Sequence, residues 1–330
     1  MVGAVFLVQQ FVKLVGIARL AAEGTLLAEK RRVEYRTLPT RKWLNRCYSE
    51  RVPFDWTINP YRGCEYGCKY CYARFTHEFL ERRDPESFER EIYAKDWDAF
   101  AFCQELRAVK PGDIIGLGTA TDPYQPAERK FSLTRQVLEA LTGIEGISLF
   151  ITTKSNLVSR DTDLLKQLCS ANEVRVTVTV TTMDRELARL TEPFAPHPDL
   201  RMKAVAELAG AGVPVGVIAN PVLPLITDSE ENLESVARAA KDAGADQFGA
   251  NVLFLQPAAQ KVFFPFLSDA FPQHLKRYQA SFAGGPYLKG SYPERIRALV
   301  TNVRQRVGIP LRDMDRAVLP KPPGAQLMLF

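Results

Sequence analysis

Three cysteines within eight residues are the feature of this sequence most able to carry chemistry. The segment NPYRGCEYGCKYCYARFTHEF, residues 59–79, places Cys64, Cys68 and Cys71 in a C-x3-C-x2-C spacing. Thiolates bind zinc and iron, and a structural metal site normally closes with four protein ligands. Three thiolates can instead hold three corners of a cubane iron–sulfur cluster and leave one iron without a protein ligand. Because catalytic metal sites keep such an open position, the spacing predicts a reactive cluster that binds a further molecule.

A zinc site formed by the three cysteines and His77 is the alternative, with the spacing C-x3-C-x2-C-x5-H. Small zinc modules fold around their metal because they lack a core. This chain has 330 residues, of which 46% are hydrophobic, so it can bury a core of its own. We therefore favour the cluster over the zinc site.

The elements that must position these cysteines alternate between strands and helices from about residue 54. We predict strands at 54–59, 113–118, 147–153, 174–182, 213–222 and 247–254. We predict helices at 132–143 (with Ser132 as the cap), 161–170, 199–212, 229–244 and 293–308. Such alternation is typical of βαβ units and a parallel sheet. Six strands are fewer than the eight of a closed barrel, so the fold class is α/β, a partial (β/α)6 barrel with its chemistry at the carboxyl ends of the strands.

The division of the chain follows from where this alternation begins and ends. We predict an N-terminal extension at 1–50, the partial barrel at 51–256, a C-terminal cap at 257–321 and an exposed tail at 322–330. The apolar run near the N-terminus is too short to span a bilayer and has no basic stretch before it, so we expect no membrane association and no secretory signal. Clustered cysteines favour metal binding in a reducing compartment, which predicts a cytoplasmic protein.

The cysteine spacing after the first strand, with the aromatic Tyr72 following the third cysteine, resembles the radical S-adenosylmethionine (SAM) superfamily. The resemblance extends over roughly residues 54–254. It implies a 4Fe–4S cluster held by Cys64, Cys68 and Cys71, with SAM bound to the open iron. It also implies reductive cleavage of SAM to a 5′-deoxyadenosyl radical that abstracts a hydrogen atom from the substrate. An electron donor such as a flavodoxin or ferredoxin would supply the reducing electron.

Within that superfamily the chain is similar to the spore photoproduct lyase-like proteins, also described as DNA repair photolyase-like. Three segments carry the likeness: NPYRGCEYGCKYCYAR at 59–74, GTATDPYQPAERK at 118–130 and TTKS at 152–155. The resemblance implies catalytic roles for Tyr70 and Tyr72, and it implies that Lys154 reaches the carboxylate of SAM. The cofactor-binding residues that it implies are Tyr72, Thr121, Lys154, Thr177, Thr179 and Asn220.

One departure from that family concerns the hydrogen donor. The spore enzyme carries a donor cysteine in the turn after the second strand, where this chain has Thr119 in the run GTATDP. A threonine O–H bond is much stronger than a thiol S–H bond and does not readily quench a carbon radical. Cys47, Cys103 or Cys169 could supply a thiol from elsewhere, or each could be a small buried apolar residue. The sequence contains no second C-x-x-C group, so it gives no indication of an auxiliary cluster.

Basic and aromatic residues crowd the cysteine loop and favour a nucleic-acid substrate, in line with a net charge of +5. The same residues are equally compatible with a solvated basic face and core aromatics. A peptide or small-molecule substrate is therefore an alternative, and a non-catalytic metal-binding nucleic-acid module is another. The final residues QLMLF, Gln326 to Phe330, resemble peptides that dock on the DNA polymerase sliding clamp, so the clamp is a predicted partner.

Overall fold

A computed structural model describes residues 14–30, 32–40, 42–48 and 52–310. The strands are β1 (Leu26–Lys30), β2 (Val33–Leu38), β3 (Leu44–Arg46), β4 (Trp56–Ile58), β5 (Tyr61–Arg62), β6 (Glu91–Lys95), β7 (Ile114–Leu117), β8 (Ser148–Thr153), β9 (Glu173–Thr179), β10 (Val215–Val222) and β11 (Gln247–Val252). The helices are α1 (Gly16–Glu23), α2 (Phe75–Glu78), α3 (Ser87–Arg90), α4 (Ala99–Leu106), α5 (Glu128–Phe131), α6 (Leu133–Leu141), α7 (Thr162–Cys169), α8 (Arg185–Thr191), α9 (Pro198–Gly210), α10 (Glu230–Asp242), α11 (Pro257–Ala270), α12 (Pro272–Phe282) and α13 (Tyr292–Val307). Short 3-10 turns cover Tyr72–Arg74 and Asn156–Asp161.

The main sheet has the order β11-β10-β9-β8-β7-β4-β3. Its first six strands in this order are parallel to one another, and β3 pairs antiparallel with β4 at the edge. Within the described residues neither β3 nor β11 pairs with a further strand, so the sheet remains open. The six predicted strands all form, and the partial (β/α)6 barrel is confirmed.

The two faces of this sheet differ in chemistry, as strand β9 illustrates. Val174, Val176 and Val178 are 3% exposed or less, and they belong to the core under the helices. Because side chains alternate along a strand, Thr177 and Thr179 point to the opposite face, which we call the inner face. Valine and threonine are both β-branched and favour strands, so the segment forms a regular strand. Its threonine hydroxyl groups lie on the inner face.

The expected cap of helix α6 is not made by Ser132. Ser132 has a φ of +52° and makes no side-chain capping hydrogen bond. The buried carboxylate of Glu128 takes that place, since it accepts the N–H groups of Thr134 (2.8 Å) and Arg135 (3.2 Å). The prediction of Ser132 as the cap was therefore wrong, because the carboxylate of Glu128, on the preceding helix α5, accepts the N–H groups of the first turn.

The segments on either side of the barrel pack against it. A second sheet has the order β1-β2-β6-β5 and so joins N-terminal strands to strands on both sides of the cysteine loop. Helices α11 and α12 contribute Phe263 and Tyr278 to a hydrophobic cluster that includes Cys64 and Cys68. The predicted tail at 322–330, with Gln326–Phe330, lies outside the described residues. Among the described helices, none combines the length and apolar character that a membrane crossing requires.

Candidate active site

Most of the predicted site residues meet at the carboxyl ends of the parallel strands. The cysteines follow β4, Thr121 follows β7, Lys154 follows β8, and Thr179 is the last residue of β9. These residues line a single cavity of about 380 Å³, together with Tyr72 and Asn220. A cavity of this size is within the range of small-molecule sites, and its position is the one expected for a β/α sheet.

The cysteine loop reaches the cavity through a tight backbone path beside strand β6. Gly63 has a φ of +80°, and a Cβ atom there would lie 2.7 Å from the carbonyl oxygen of Glu91 and 2.8 Å from that of Phe88. Its neighbour Cys64 then donates its N–H to the carbonyl of Phe88 at 2.9 Å. Only glycine fits this approach, because a side chain would collide with backbone atoms that are themselves hydrogen-bonded.

Burial makes the three thiols poor acids unless a metal compensates the charge. Burial raises the pKa of Cys68 to about 12, although the positive charge of Lys154 acts in the opposite direction. Burial also raises the pKa of Cys64 and Cys71, and Arg74 and Lys154 oppose the rise at Cys71. Iron coordination deprotonates thiols outright, so a buried set of three beside cationic groups fits a cluster better than it fits free thiolates.

The zinc alternative does not agree with the structure. His77 is 1% exposed, its Nε2 lies 2.9 Å from the carbonyl oxygen of Glu91, and its ring packs edge-on against Phe88 and Tyr93. Within the described part of the chain, no three His, Cys, Asp or Glu side chains converge on a position for one metal ion. A cubane does not need such convergence, because each of its thiolates binds a different iron.

Thr121 is held by a buried hydrogen-bond network beneath the cysteine loop. Its hydroxyl donates to the carbonyl of Gly63 at 2.5 Å, and the Gln125 side-chain amide donates to that carbonyl and to the Thr121 hydroxyl, both at 2.9 Å. The Gln125 amide oxygen also accepts the N–H of Glu65 at 3.0 Å. Gln125 is fully buried. The turn after β7 and the cysteine loop are thereby fixed to each other.

Asp122 is a site residue that the sequence analysis missed. It lines the cavity, and its carboxylate accepts the Thr153 hydroxyl (2.6 Å), the Tyr124 N–H (2.9 Å) and the Lys154 N–H (2.7 Å). Burial raises the pKa of Asp122, although these hydrogen bonds oppose the rise. A carboxylate in the turn that follows a parallel strand, beside Thr121, was the sequence signal that could have identified it. Asp122 joins the ends of β7 and β8 and aligns the backbone of Lys154.

Tyr70 is buried in an ionic network instead of lining the cavity. Its hydroxyl donates to Glu192, which also forms a 2.5 Å ion pair with Arg201. The Lys154 ammonium lies 5.6 Å from the centre of the Tyr70 ring. Burial would lower the pKa of Lys154, but the charges of Cys68 and Glu192 raise it, and the net shift is upward. Lys154 therefore stays cationic at the cavity wall, supported from behind by Tyr70.

Tyr72 lies at the cavity wall beside the turn that carries Thr119. Its hydroxyl donates to the carbonyl oxygen of Thr119, and 36% of its surface is exposed. The amide of Asn59 holds the same turn, donating to the Thr119 hydroxyl (3.1 Å) and accepting the N–H of Ala120 (2.8 Å). Thr119 also lines the cavity, so the position where the spore enzyme has its donor cysteine lies at the cavity wall in this chain.

Several predicted residues are not brought to the cavity. Tyr70 and Thr177 do not line it, and neither does any of the other cysteines, Cys47, Cys103 and Cys169. Thr177 shares the inner face with Thr179 but lies two residues farther from the carboxyl end of β9. Because side chains alternate along a strand, the sequence places both threonines on the same face and cannot tell which of them lines the cavity. The extent of the cavity along β9 decides this.

Aromatic rings form the remaining walls. Phe54 and Phe150 both line the cavity, and their ring centres lie 6.3 Å apart. Phe254 lies 6.0 Å from Tyr72 and stacks on Tyr287 at 4.7 Å. Flat apolar surfaces of this kind favour a planar ligand.

The comparisons with known proteins agree with this geometry. The Radical SAM superfamily profile matches residues 58–240, which is more than half of the chain. The chain therefore belongs to the radical SAM superfamily, whose members are enzymes that use a 4Fe–4S cluster and SAM. This confirms the family that the cysteine spacing predicted.

Two relatives by sequence are both described as uncharacterized proteins. One from Mycobacterium tuberculosis is 35% identical over 252 residues, covering 76% of this chain and 73% of the relative. One from Methanocaldococcus jannaschii is 32% identical over 180 residues, covering 53% of this chain and 63% of the relative.

Solved structures of spore photoproduct lyase share the fold. A variant with bound AdoMet and dinucleoside spore photoproduct has a TM-score of 0.60 at 14% identity, covering 81% of this chain and 77% of that chain. Another variant has a TM-score of 0.62 at 14% identity, with the same coverage. At this identity the likeness establishes the fold and not the substrate.

Proposed function

We propose that this enzyme acts on nucleic acid, in a reaction related to the repair of a DNA lesion. The observation that carries the proposal is the set of aromatic walls around the cavity, Phe54 with Phe150 and Tyr72 with Phe254. Stacking between a base and an aromatic ring is favourable and tolerant of sequence. A protein of the same fold binds a dinucleoside spore photoproduct, which also supports a nucleic-acid substrate.

In this proposal Cys64, Cys68 and Cys71 hold the cluster, and the side chains around them hold SAM. Lys154 would pair with the carboxylate of SAM, and its position as a cation at the cavity wall supports this role. Thr121, Thr179 and Asn220 offer hydroxyl and amide groups to the polar parts of the cofactor. When bound and reduced, the cluster and SAM supply a 5′-deoxyadenosyl radical for hydrogen abstraction.

The hydrogen donor of the spore enzyme is not part of the proposed reaction. Thr119 occupies the relevant turn, and its hydroxyl already accepts a hydrogen bond from Asn59. The other cysteines do not line the cavity, so none is placed to quench a substrate radical directly. We therefore propose a lyase-like reaction that begins with abstraction of a hydrogen atom from the substrate. No thiol of this chain would donate a hydrogen atom at its end.

Two partners complete the proposal. Gln326–Phe330 would dock on the DNA polymerase sliding clamp, as the sequence QLMLF resembles peptides that do so. An external carrier, such as a flavodoxin or ferredoxin, would deliver the reducing electron.

The first test is anaerobic reconstitution with iron and sulfide, reduction by dithionite and measurement of 5′-deoxyadenosine, beside Cys68→Ala. We expect product from the wild type only. Absence of product from the wild type would contradict the proposed enzymatic activity and would favour a non-catalytic metal-binding module.

The second test addresses the substrate. Oligonucleotides that carry deuterium on carbon would be irradiated with ultraviolet light and supplied as substrates. The irradiated oligonucleotides should transfer deuterium into 5′-deoxyadenosine, whereas undamaged ones should not. If no oligonucleotide transfers deuterium while the cofactor is still cleaved, a peptide or small-molecule substrate is favoured instead.

A further inference from the structure

The chain at the end of helix α8 is hydrogen-bonded to the cysteine loop. Lys69 donates its N–H to the carbonyl of Thr191 at 2.9 Å, and Phe194 donates its N–H to the carbonyl of Tyr66 at 3.3 Å. Residues 191–194 are therefore fixed to the loop by two backbone hydrogen bonds, one on each side of Cys68 in the sequence.

Glu192 lies between these two hydrogen bonds, and its side chain turns inward. The residue is 1% exposed. Its carboxylate accepts the hydroxyl of Tyr70, which lies between Cys68 and Cys71 in the loop, and the hydroxyl of Thr181 at 3.1 Å. A buried carboxylate is thus in direct contact with a side chain of the loop that carries the cysteines.

Arg201 is the ion-pair partner of this carboxylate. Its guanidinium lies 2.5 Å from Glu192 and also donates to the carbonyls of Pro196 (2.8 Å) and Thr179 (3.0 Å), none of which belongs to the cysteine loop. Burial alone would raise the pKa of Glu192, but the charges of Arg201 and Lys154 lower it, and the net shift is downward. The carboxylate is therefore ionised, and its negative charge opposes both cations.

Besides this ion pair, charges of both signs act on the three cysteines: the cations Arg74 and Lys154 and the carboxylates Asp122 and Glu89. The charge of Glu192 raises the pKa of Cys68 by more than the charge of Arg201 lowers it. This agrees with the contacts, since Glu192 touches the loop and Arg201 reaches it through Glu192. Loss of the carboxylate would leave the surroundings of the cysteines more positive by one charge.

We propose that Glu192, held between Tyr70 and Arg201, lowers the reduction potential of the cluster. An anion close to a cluster disfavours the added electron, and a buried anion does so more strongly because the local dielectric is low. Reduction transfers one electron from an external reductant to the cluster, with no bond formed or broken. Glu192 is a positioning residue and not a catalytic one, because it does not line the cavity. The inference rests on the proposed function, since it assumes that the three cysteines hold the cluster.

The test is a potentiometric titration of the reconstituted full-length enzyme without SAM. Dithionite and mediator dyes set the potential, and the electron paramagnetic resonance signal of the reduced cluster gives its midpoint. Glu192→Gln keeps the shape of the side chain and removes its charge, so the midpoint should rise by about 59 mV or more, which is a tenfold change in a one-electron equilibrium constant. Tyr70→Phe removes a hydrogen bond but no charge, and it should change that constant by less than about threefold.

Glu128→Gln is the matched control, because Glu128 has the same kinds of partner as Glu192. It is fully buried, accepts the hydroxyl of Tyr61 at 2.6 Å and pairs with Arg160 at 2.6 Å. Its carboxylate serves the start of helix α6 and not the cysteine loop. Glu128→Gln should lose stability in urea as Glu192→Gln does, and it should leave the midpoint of the cluster unchanged.

A second variant covers the case in which Glu192→Gln does not fold, because that change leaves Arg201 as a buried cation without its carboxylate. Glu192→Gln combined with Arg201→Met removes both charges. The midpoint should still rise, by less than in the single variant, because Glu192 acts on the cysteines more strongly than Arg201 does.

Four results would overturn the inference. They are an unchanged or lower midpoint in a Glu192 variant that binds its cluster, an equal rise in Glu128→Gln, an equal rise in Tyr70→Phe, and loss of the cluster from both Glu192 variants, which would make Glu192 a support of the loop alone. Failure of the proposed function is distinct from all of these, because the wild type itself would then bind no iron after reconstitution.

Discussion

Replacement of Gly63 by alanine should weaken both the fold and the cluster loop. The residue has a φ of +80°, where an L side chain carries a strain of about 1–2 kcal/mol. The new Cβ atom would lie 2.7 and 2.8 Å from two backbone carbonyl oxygens, of Glu91 and Phe88. Relieving such an overpacked contact costs a further 1–3 kcal/mol or so. The two contributions together predict a loss of about 2–5 kcal/mol in the free energy of unfolding.

Gly112→Ala separates the strain from the collision. Gly112 has a φ of +91°, but a Cβ atom there would meet nothing within 4 Å. This variant should therefore lose only the strain of about 1–2 kcal/mol. Urea unfolding of the metal-free proteins measures the loss in the free energy of unfolding for each variant. The iron bound per chain after reconstitution measures whether the cysteine loop can still hold a cluster. Iron content should fall in Gly63→Ala and stay at the wild-type level in Gly112→Ala.

Equal destabilisation of the two glycine variants, or full iron content in Gly63→Ala, would refute this reasoning. Either result would mean that strand β6 moves away from the new methyl group without disturbing the hydrogen bond between Cys64 and Phe88.

Three further predictions concern the site and its supports. Lys154→Met should weaken SAM binding by tenfold or more, as expected for loss of a charged hydrogen bond. Lys261→Met, which changes an exposed lysine on α11, should bind SAM as the wild type does. Equilibrium dialysis with SAM measures both affinities. Burial lowers the pKa of His77 to about 4, so the unfolded chain binds its proton first and stability is lost as the pH falls from 6.5 towards 4. His77→Gln keeps a donor without this titration, so urea unfolding between pH 7.5 and 4.5 should show the wild type losing up to about 3 kcal/mol more; parallel curves would contradict the assignment. Tyr35→Phe removes a 2.8 Å hydrogen bond to the carboxylate that follows the first cysteine and should cost about 1–3 kcal/mol, whereas Tyr48→Phe, at a site 90% exposed, should change unfolding by less than about 0.5 kcal/mol.

The barrel was predictable because its signals are local and periodic. Each of the six parallel strands was indicated by a run of β-branched or apolar residues, and the helices α6, α7, α9 and α10 by their own period, whereas the shorter helices α4 and α8 were not predicted. Where two nearby residues could both cap a helix, the prediction failed. Ser132 has the residue type of a cap, yet Glu128 accepts the first N–H groups of α6 instead. The residue types at the start of α6 do not show that a carboxylate on the preceding helix α5 will cap it.

The site divides in the same way. The spacing of Cys64, Cys68 and Cys71 identified the family, because three thiols so close in sequence stay close in any fold of that loop. Sequence could not separate Tyr70 from Tyr72, although they flank the same cysteine. The structure turns the hydroxyl of Tyr70 into the buried network with Glu192, and it leaves Tyr72 on the cavity wall.

By itself, therefore, the sequence determined the chemistry available to this protein and the β/α frame that presents it. Tertiary structure alone decided which polar groups line the cavity, as with Asp122, whose hydrogen bonds join the ends of β7 and β8. It also decided that Phe194 should cover the cysteine loop while remaining exposed. The physical reason is that ligand spacing and strand period act between near neighbours in the chain, whereas burial and hydrogen-bond partners depend on residues far apart that only the packed fold brings together.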